Sequence, residues 1–391
     1  MKDHHFKVHL KPWNINEASI KLGDLKYFVR HGEVDEHIRK SFPIIKYGDF
    51  NEKLNIYGTR SLVDAFEQID KVKLDIPEKL ENIRFIGFSQ NRQLILRFIE
   101  DRLNAIGTYN FTSEFLDNVF HMGKFSRFCF EHGYTDILKD NIEDLINKMG
   151  HVEMQYRLIK KDDKFLIRAI TSTKYNNYDN HLAIYLALIS LHDYAKNENI
   201  FFKVEEAHLS DSEIKIFIQQ INPKIIIGFG KVYFGVLITN NELGKGTFSL
   251  EFRYKIIDEN GKNFNGIQDV IFNIRHDTGI KNVTEKLINL NNISKMEETF
   301  LEHVYAVVNT PYLTENRLYK ILKDIIEDKR KFGKETRQNV KKIRDDNLVN
   351  NTMTIIEVFD RLSEITTDID ERIYLERLYH KAINEIAKNS Q

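Results

Sequence analysis

Hydrophobic and polar positions follow a two-residue period in the middle of the chain and a helical period on either side. Residues 1–80 mix short alternating stretches, such as Phe6, Val8 and Leu10, with one helical stripe from Leu62 to Val72. From about 88 to 150 the spacing reads as a helical layer. Leu94, Ile95, Phe98, Ile99 and Leu103 recur at helical intervals, and Thr112 and Ser113 stand as N-cap candidates before Phe115, Leu116, Val119 and Phe120. Phe125, Phe128, Cys129 and Phe130 read as a further helix in the same core.

The period changes after 150. His151 to Ile159 and Lys164 to Thr171 predict a hairpin around the charged turn Lys160-Lys161-Asp162-Asp163. Asp179 opens a helix reaching Tyr194, with Leu182, Tyr185, Leu186 and Ile189 on its stripe. Strands are predicted at Phe201–Ala207, Glu213–Ile221, Lys231–Thr239 and Phe248–Ile257. Gly228, Gly230, Gly235, Gly244 and Gly246 fall among them, where the chain must turn tightly. Beyond 278 the pattern is helical again, with Thr314 capping a helix through Leu318, Ile321, Leu322 and Ile325, and two more helices over 352–365 and 369–387. Strands and helices that do not alternate regularly indicate an α+β fold. A central, mostly antiparallel sheet (151–277) with a packed helix is expected between a mixed to helical N-terminal region (1–150) and a C-terminal helical region (278–391).

Composition narrows the function classes. Lys and Arg number 57 against 58 Asp and Glu, so no global cationic field draws in nucleic acid or membrane. The single cysteine, Cys129, provides neither an intramolecular disulfide nor a thiol framework for zinc. The opening MKDHHFKVHLKPW lacks the apolar core of a signal peptide, and no apolar run approaches the ~20 residues of a spanning helix. A cytoplasmic protein without membrane contact is the expectation.

Motifs for catalysis are sparse. His192-Asp193, with His181 upstream on the same predicted helix, resembles a metal phosphohydrolase doublet but lacks the further ligands such sites require. Neither a metal nor a cofactor is expected. Asp211-Ser-Glu213-Ile-Lys215 matches a nuclease pattern in which Asp211 and Glu213 hold a metal ion and Lys215 steadies water or phosphate; Glu205 or Glu206 could add a carboxylate. The same spacing also suits a solvated strand edge. Gly228-x-Gly230 runs into a strand rather than a helix, unlike a phosphate-binding loop.

Charge is concentrated in one place. Lys329, Arg330, Lys331, Lys334, Arg337, Lys341, Lys342 and Arg344 face one acid, Glu335, a net of +7 over 16 residues. Such a run can neutralise phosphates and release their counterions. The tail from Asp345 onward carries ten acids and five bases and could instead cover the run within a helical bundle. Phe332 is the aromatic residue inside the run.

Several short motifs form a series. Arg157-Leu-Ile, the Arg168-Ala169 strand, Ser172-x-x-Tyr175, the Asp179-Asn180 pair opening a helix, Gly235 to Gly244 with Asn-Asn-Glu-x-Gly, and Arg275-His276-x-x-Gly279 stand in order. The series resembles a family of uncharacterised phage- and plasmid-encoded proteins, over roughly 157–391. The resemblance implies a mobile-element origin rather than a reaction. Asp179-Asn180 also reads as an N-cap, Asn240 to Gly244 as a turn, and Arg275 and His276 as strand-end residues that could face a polar groove. Three functions follow: a non-enzymatic nucleic-acid-binding protein in replication, recombination or their regulation; an interaction protein engaging a host factor or defence system; and a metal-dependent nuclease. Length leaves a homo-oligomer open.

Overall fold

The computed structural model describes residues 4–244, 246–287 and 293–390. In chain order the elements are β1 (Lys7–Leu10), α1 (Glu33–Ser41), β2 (Ile56–Tyr57), α2 (Thr59–Ile69), β3 (Lys73–Lys79), β4 (Ile83–Phe88), β5 (Leu94–Phe98), β6 (Leu103–Gly107), α3 (Phe111–Asn118), α4 (Gly123–His132) and α5 (Thr135–Lys148). There follow β7 (Glu153–Lys161), β8 (Lys164–Thr171), α6 (Asn180–Asn197), β9 (Phe202–Ser210), β10 (Glu213–Gln220), β11 (Lys224–Ile226), β12 (Gly230–Asn241), β13 (Phe248–Asp258) and β14 (Asn263–Ile274). The chain ends in α7 (Ile280–Leu287), α8 (Ile293–Asn309), α9 (Glu315–Glu327), α10 (Lys334–Asp345), α11 (Ile355–Ser363) and α12 (Ile369–Ser390). The fold is α+β.

One sheet runs β1-β9-β10-β12-β13-β14 with antiparallel neighbours; β2 lies parallel beside β9, and β11 pairs with β12. Alternation divides its faces. Ile214, Ile216 and Ile218 join the main core, while Phe217 between them packs with Leu237 and Ile267 against Ile369 and Ile373 of α12. Helix α6 lies in the main core and is buried from Asn180 to His192, not along one stripe as its sequence suggests. Residues of the N-terminal segment, Leu22, Leu25 and Phe28 among them, share that core, so α6 is enclosed all round and its apolar composition follows from that.

The second sheet, β3-β7-β8-β6-β5-β4, corrects the expected helical layer between 88 and 107. Leu94, Leu96 and Phe98 alternate inward and Arg97 outward, so the stretch is a strand. Its apolar residues on both faces mimic helical spacing, and pairing with β4 and β6 decides the outcome. The N-cap expectation at Thr112 is corrected too. Asn110 is the N-cap of α3, and the Thr112 hydroxyl accepts the Leu94 N–H at 2.9 Å. Helices α3 to α5 contribute Phe115, Leu116, Cys129, Leu138 and Ile142 to the core of this sheet. The sheet takes β3–β6 from before residue 150 and β7–β8 from after it. The expected boundary at 150 therefore falls inside its set of strands.

The helix expected after Thr314 starts at that cap. Thr314 Oγ1 accepts the Arg317 N–H, and Thr354 forms a reciprocal capping box with Glu357. Among the described residues no helix is long and apolar enough to cross a membrane.

Candidate functional site

Three polar constellations emerge from this scaffold. The first lies where the two sheets meet. Arg157 on β7 and Arg168 on β8 are 0 % and 1 % exposed, and Glu242, in the turn after β12, is 0 % exposed. Arg157 Nη2 donates to both oxygens of Asp179 at 2.6 and 2.8 Å, and Arg157 also forms a forked pair with Asp75 of β3 at 3.0 and 3.3 Å. Glu242 accepts Lys73 Nζ at 2.7 and 2.8 Å and is ion-paired with Arg168. Three cations (Lys73, Arg157, Arg168) face three anions (Asp75, Asp179, Glu242), so the buried charge is balanced. Burial opposes ionisation of Asp179, yet Arg157, Lys73 and Arg168 hold its carboxyl well below the usual range. Glu242 is also depressed: burial and Asp179 push it up, and the same three cations pull it further down.

This junction reassigns the expected cap. Asp179 occupies the N-cap position, but its carboxylate faces Arg157 and makes no capping bond. Glu242, 62 residues away, instead accepts the Asn180 N–H at 2.8 Å. Asn240 Nδ2 donates to Asn180 Oδ1 at 2.9 Å, and Tyr175 stacks on His276 with ring centroids 4.5 Å apart. The motifs that stood in series along the chain thus converge on one junction between the sheets. Arg275 and His276 part company there. Arg275 is exposed and paired with Asp277 at 2.7 Å, whereas His276 is buried and its Nδ1 donates to the Asn176 carbonyl. Only His276 faces a polar interior.

The structure divides the nuclease-like triplet. The Asp211 carboxylate is buried, accepting the Tyr109 hydroxyl at 2.6 Å and lying 3.2 Å from His4 Nδ1. Glu213 and Lys215 instead line a groove of about 490 Å³, where Lys215 Nζ stands 3.0 Å from Glu213 and 2.7 Å from Asp370 of α12. Glu205 pairs with Arg253. His192 is fully buried, and its Nδ1 accepts the Asn55 N–H at 3.1 Å.

The second constellation is the basic run, which forms the turn before α10 and α10 itself. Lys329, Arg330, Lys331, Lys334, Lys341 and Lys342 are exposed; Arg337 and Arg344 are half-buried. Among the described residues its ion pairs are local, Lys331 to Asp328 at 3.7 Å and Arg344 to Asp345 at 2.8 Å, and Arg337 Nε donates to the Phe332 carbonyl. The acidic tail does not cover it. Glu371 of α12 touches the run only at its helix start, accepting the Gly333 N–H at 2.7 Å and the Thr336 hydroxyl. Phe332 is buried, but α12 brings up an aromatic residue the run lacks. Tyr374 lies half-buried with Lys331 Nζ 5.3 Å and Arg377 Cζ 5.8 Å from its ring centre. These residues line a groove of about 570 Å³ together with Lys381 and the acids Asp324, Glu327 and Asp328.

A third constellation escapes any reading of spacing. His9 on β1 and Glu206 and His208 on β9 meet on one face of the sheet, although 197 residues separate His9 from Glu206. The only signal in sequence is the Glu-x-His step, which is too common to single out. Comparison with family models, with curated proteins and with solved structures finds no match to this chain.

Proposed function

We propose that the protein is a non-enzymatic nucleic-acid-binding protein of a mobile element, acting in replication, recombination or their regulation. Its contact surface is the turn before α10, α10 itself and the groove around Tyr374. The observation that carries this reading is the exposure of six cations of the basic run with only local acidic partners. Among the described residues Lys331 is the one of the six with an acidic partner, Asp328, so most of these cations attract phosphates without first breaking an internal ion pair. Tyr374, flanked by Lys331 and Arg377, supplies a face on which a single-stranded base can stack. The nuclease reading draws less support, because the Asp211 carboxylate is engaged by Tyr109 and His4 rather than turned toward Glu213 and Lys215.

Salt-dependent binding to duplex and single-stranded DNA and RNA tests the proposal. Log affinity should fall linearly with log salt, with a slope of about 0.7–0.9 per neutralised phosphate. Replacing Lys334, Lys341 and Lys342 together by Ala should flatten that slope by up to roughly 2–3. No binding at low salt, or an unchanged slope in the triple variant, overturns the reading.

A further inference from the structure

Strands β1 and β9 assemble a donor set for a metal ion. His9 and His208 are directly opposed partners in the antiparallel register, and Glu206 precedes His208 by one two-residue step, so all three project from the same face. Their ligand atoms lie within 4.8 Å of one another. Both Nε2 atoms stand 2.8 Å from a single oxygen, Glu206 Oε1, and the two imidazoles stack with centroids 3.9 Å apart and planes inclined by 24°. The other oxygen, Oε2, accepts Arg372 Nη2 from α12 at 2.6 Å. Such an outer contact orients a ligating carboxylate and leaves its second oxygen free to bind.

The geometry points to a site for a divalent first-row transition metal ion, zinc in the simplest case, held by His9 Nε2, His208 Nε2 and Glu206 Oε1 with solvent completing the coordination. Two imidazole nitrogens and one carboxylate oxygen suit zinc, iron, cobalt or nickel and disfavour magnesium and calcium, which prefer all-oxygen shells. Two imidazoles stacked this closely repel each other if both are protonated. Lys215, opposite His208 on β10, is engaged by Glu213 and Asp370 and does not compete for Glu206. His9 is half open to solvent, giving the ion an entry path. A bound ion fastens β1 to the sheet and, through Arg372, to the start of α12.

The test uses the full chain after chelator treatment and dialysis, titrated with zinc by calorimetry and with cobalt(II) as a visible-spectrum probe. One equivalent should bind, with cobalt ligand-field bands, and magnesium should not compete. His9→Ala and His208→Ala should each weaken binding by about tenfold or more, and Arg372→Ala by about 10–100-fold through loss of carboxylate orientation. A His4→Ala/His5→Ala double variant should bind as the parent does. His9 is at the exposed edge, so His9→Ala keeps the test decisive should His208→Ala fail to fold. Absence of stoichiometric binding, binding unchanged by His9→Ala, or binding lost in the His4/His5 variant overturns the proposal.

Discussion

The junction between the sheets and the basic run around α10 hold charge in opposite ways. At the junction six charged groups balance one another, and the guanidinium groups and Glu242 are sealed from water. Around α10 eight bases face a single acid within the run, and most of them stand in solvent. Removing ions from water is costly unless the partners are close and fully hydrogen-bonded, so the junction must be neutral and fixed in geometry. Exposed ions keep their hydration and contribute little to stability, so an excess of one sign is tolerated there. Charge concentrated at a buried junction therefore maintains the fold, whereas charge left unbalanced at the surface is available to a partner.

Removing one member of the junction should break this contrast most forcefully. Glu242→Ala leaves Lys73, Arg168 and the Asn180 N–H facing a void, and unfolding free energy should fall by about 3–5 kcal/mol in urea denaturation. A loss below about 1 kcal/mol would show that the junction relaxes to admit water. The pH dependence has a definite sign. Asp179 and Glu242 have folded pKa values below their unfolded ones. Their contribution is therefore present above the ordinary carboxylate range near pH 4 and lost as pH falls through the lowered folded values.

A buried carboxylate held by an amide, with no salt bridge among the described residues, sharpens the same point. Glu297 on α8 is buried, accepts a hydrogen bond from Gln220, and is pushed up to about 7, chiefly by burial. Its folded pKa is raised, so stability should decline as pH rises from about 4.5 to about 7, where the unfolded chain releases the proton first. Glu297→Gln should abolish that decline and gain up to about 3 kcal/mol at pH 8, by the energy of roughly two pKa units. Thermal unfolding of both proteins at pH 5 and pH 8 measures it; an unchanged difference between the two pH values would contradict it.

At the surface the expected effects are smaller and fall on binding. Tyr374→Ala should weaken single-stranded binding by about 1–3 kcal/mol while leaving duplex affinity nearly unchanged. Equal losses on both would mean that Tyr374 positions Lys331 and Arg377 rather than stacking on a base. Single Ala substitutions of Lys334, Lys341 or Lys342 should change stability by under about 0.5 kcal/mol each. A larger loss in urea denaturation would reveal an internal role for the run.

Reading the chain alone located what depends on near neighbours. The 153–171 hairpin, the extent of α6, four of the long strands and the Thr314 cap were legible, because alternation and capping are settled within a few residues. The +7 run was legible as a count of charges. Strand β14 and the strand character of 94–107 were not, because apolar residues on both faces of a strand imitate a helical stripe until a partner strand is known. The remaining features rest on distance in space. That Glu242 rather than Asp179 satisfies the start of α6, that Glu371 of the acidic tail meets α10 at its first turn, and that His9 meets Glu206 and His208 were decided by tertiary structure. Each joins residues far apart in the chain, and the pairing of a charge is a property of the folded surface around it, which no local pattern encodes.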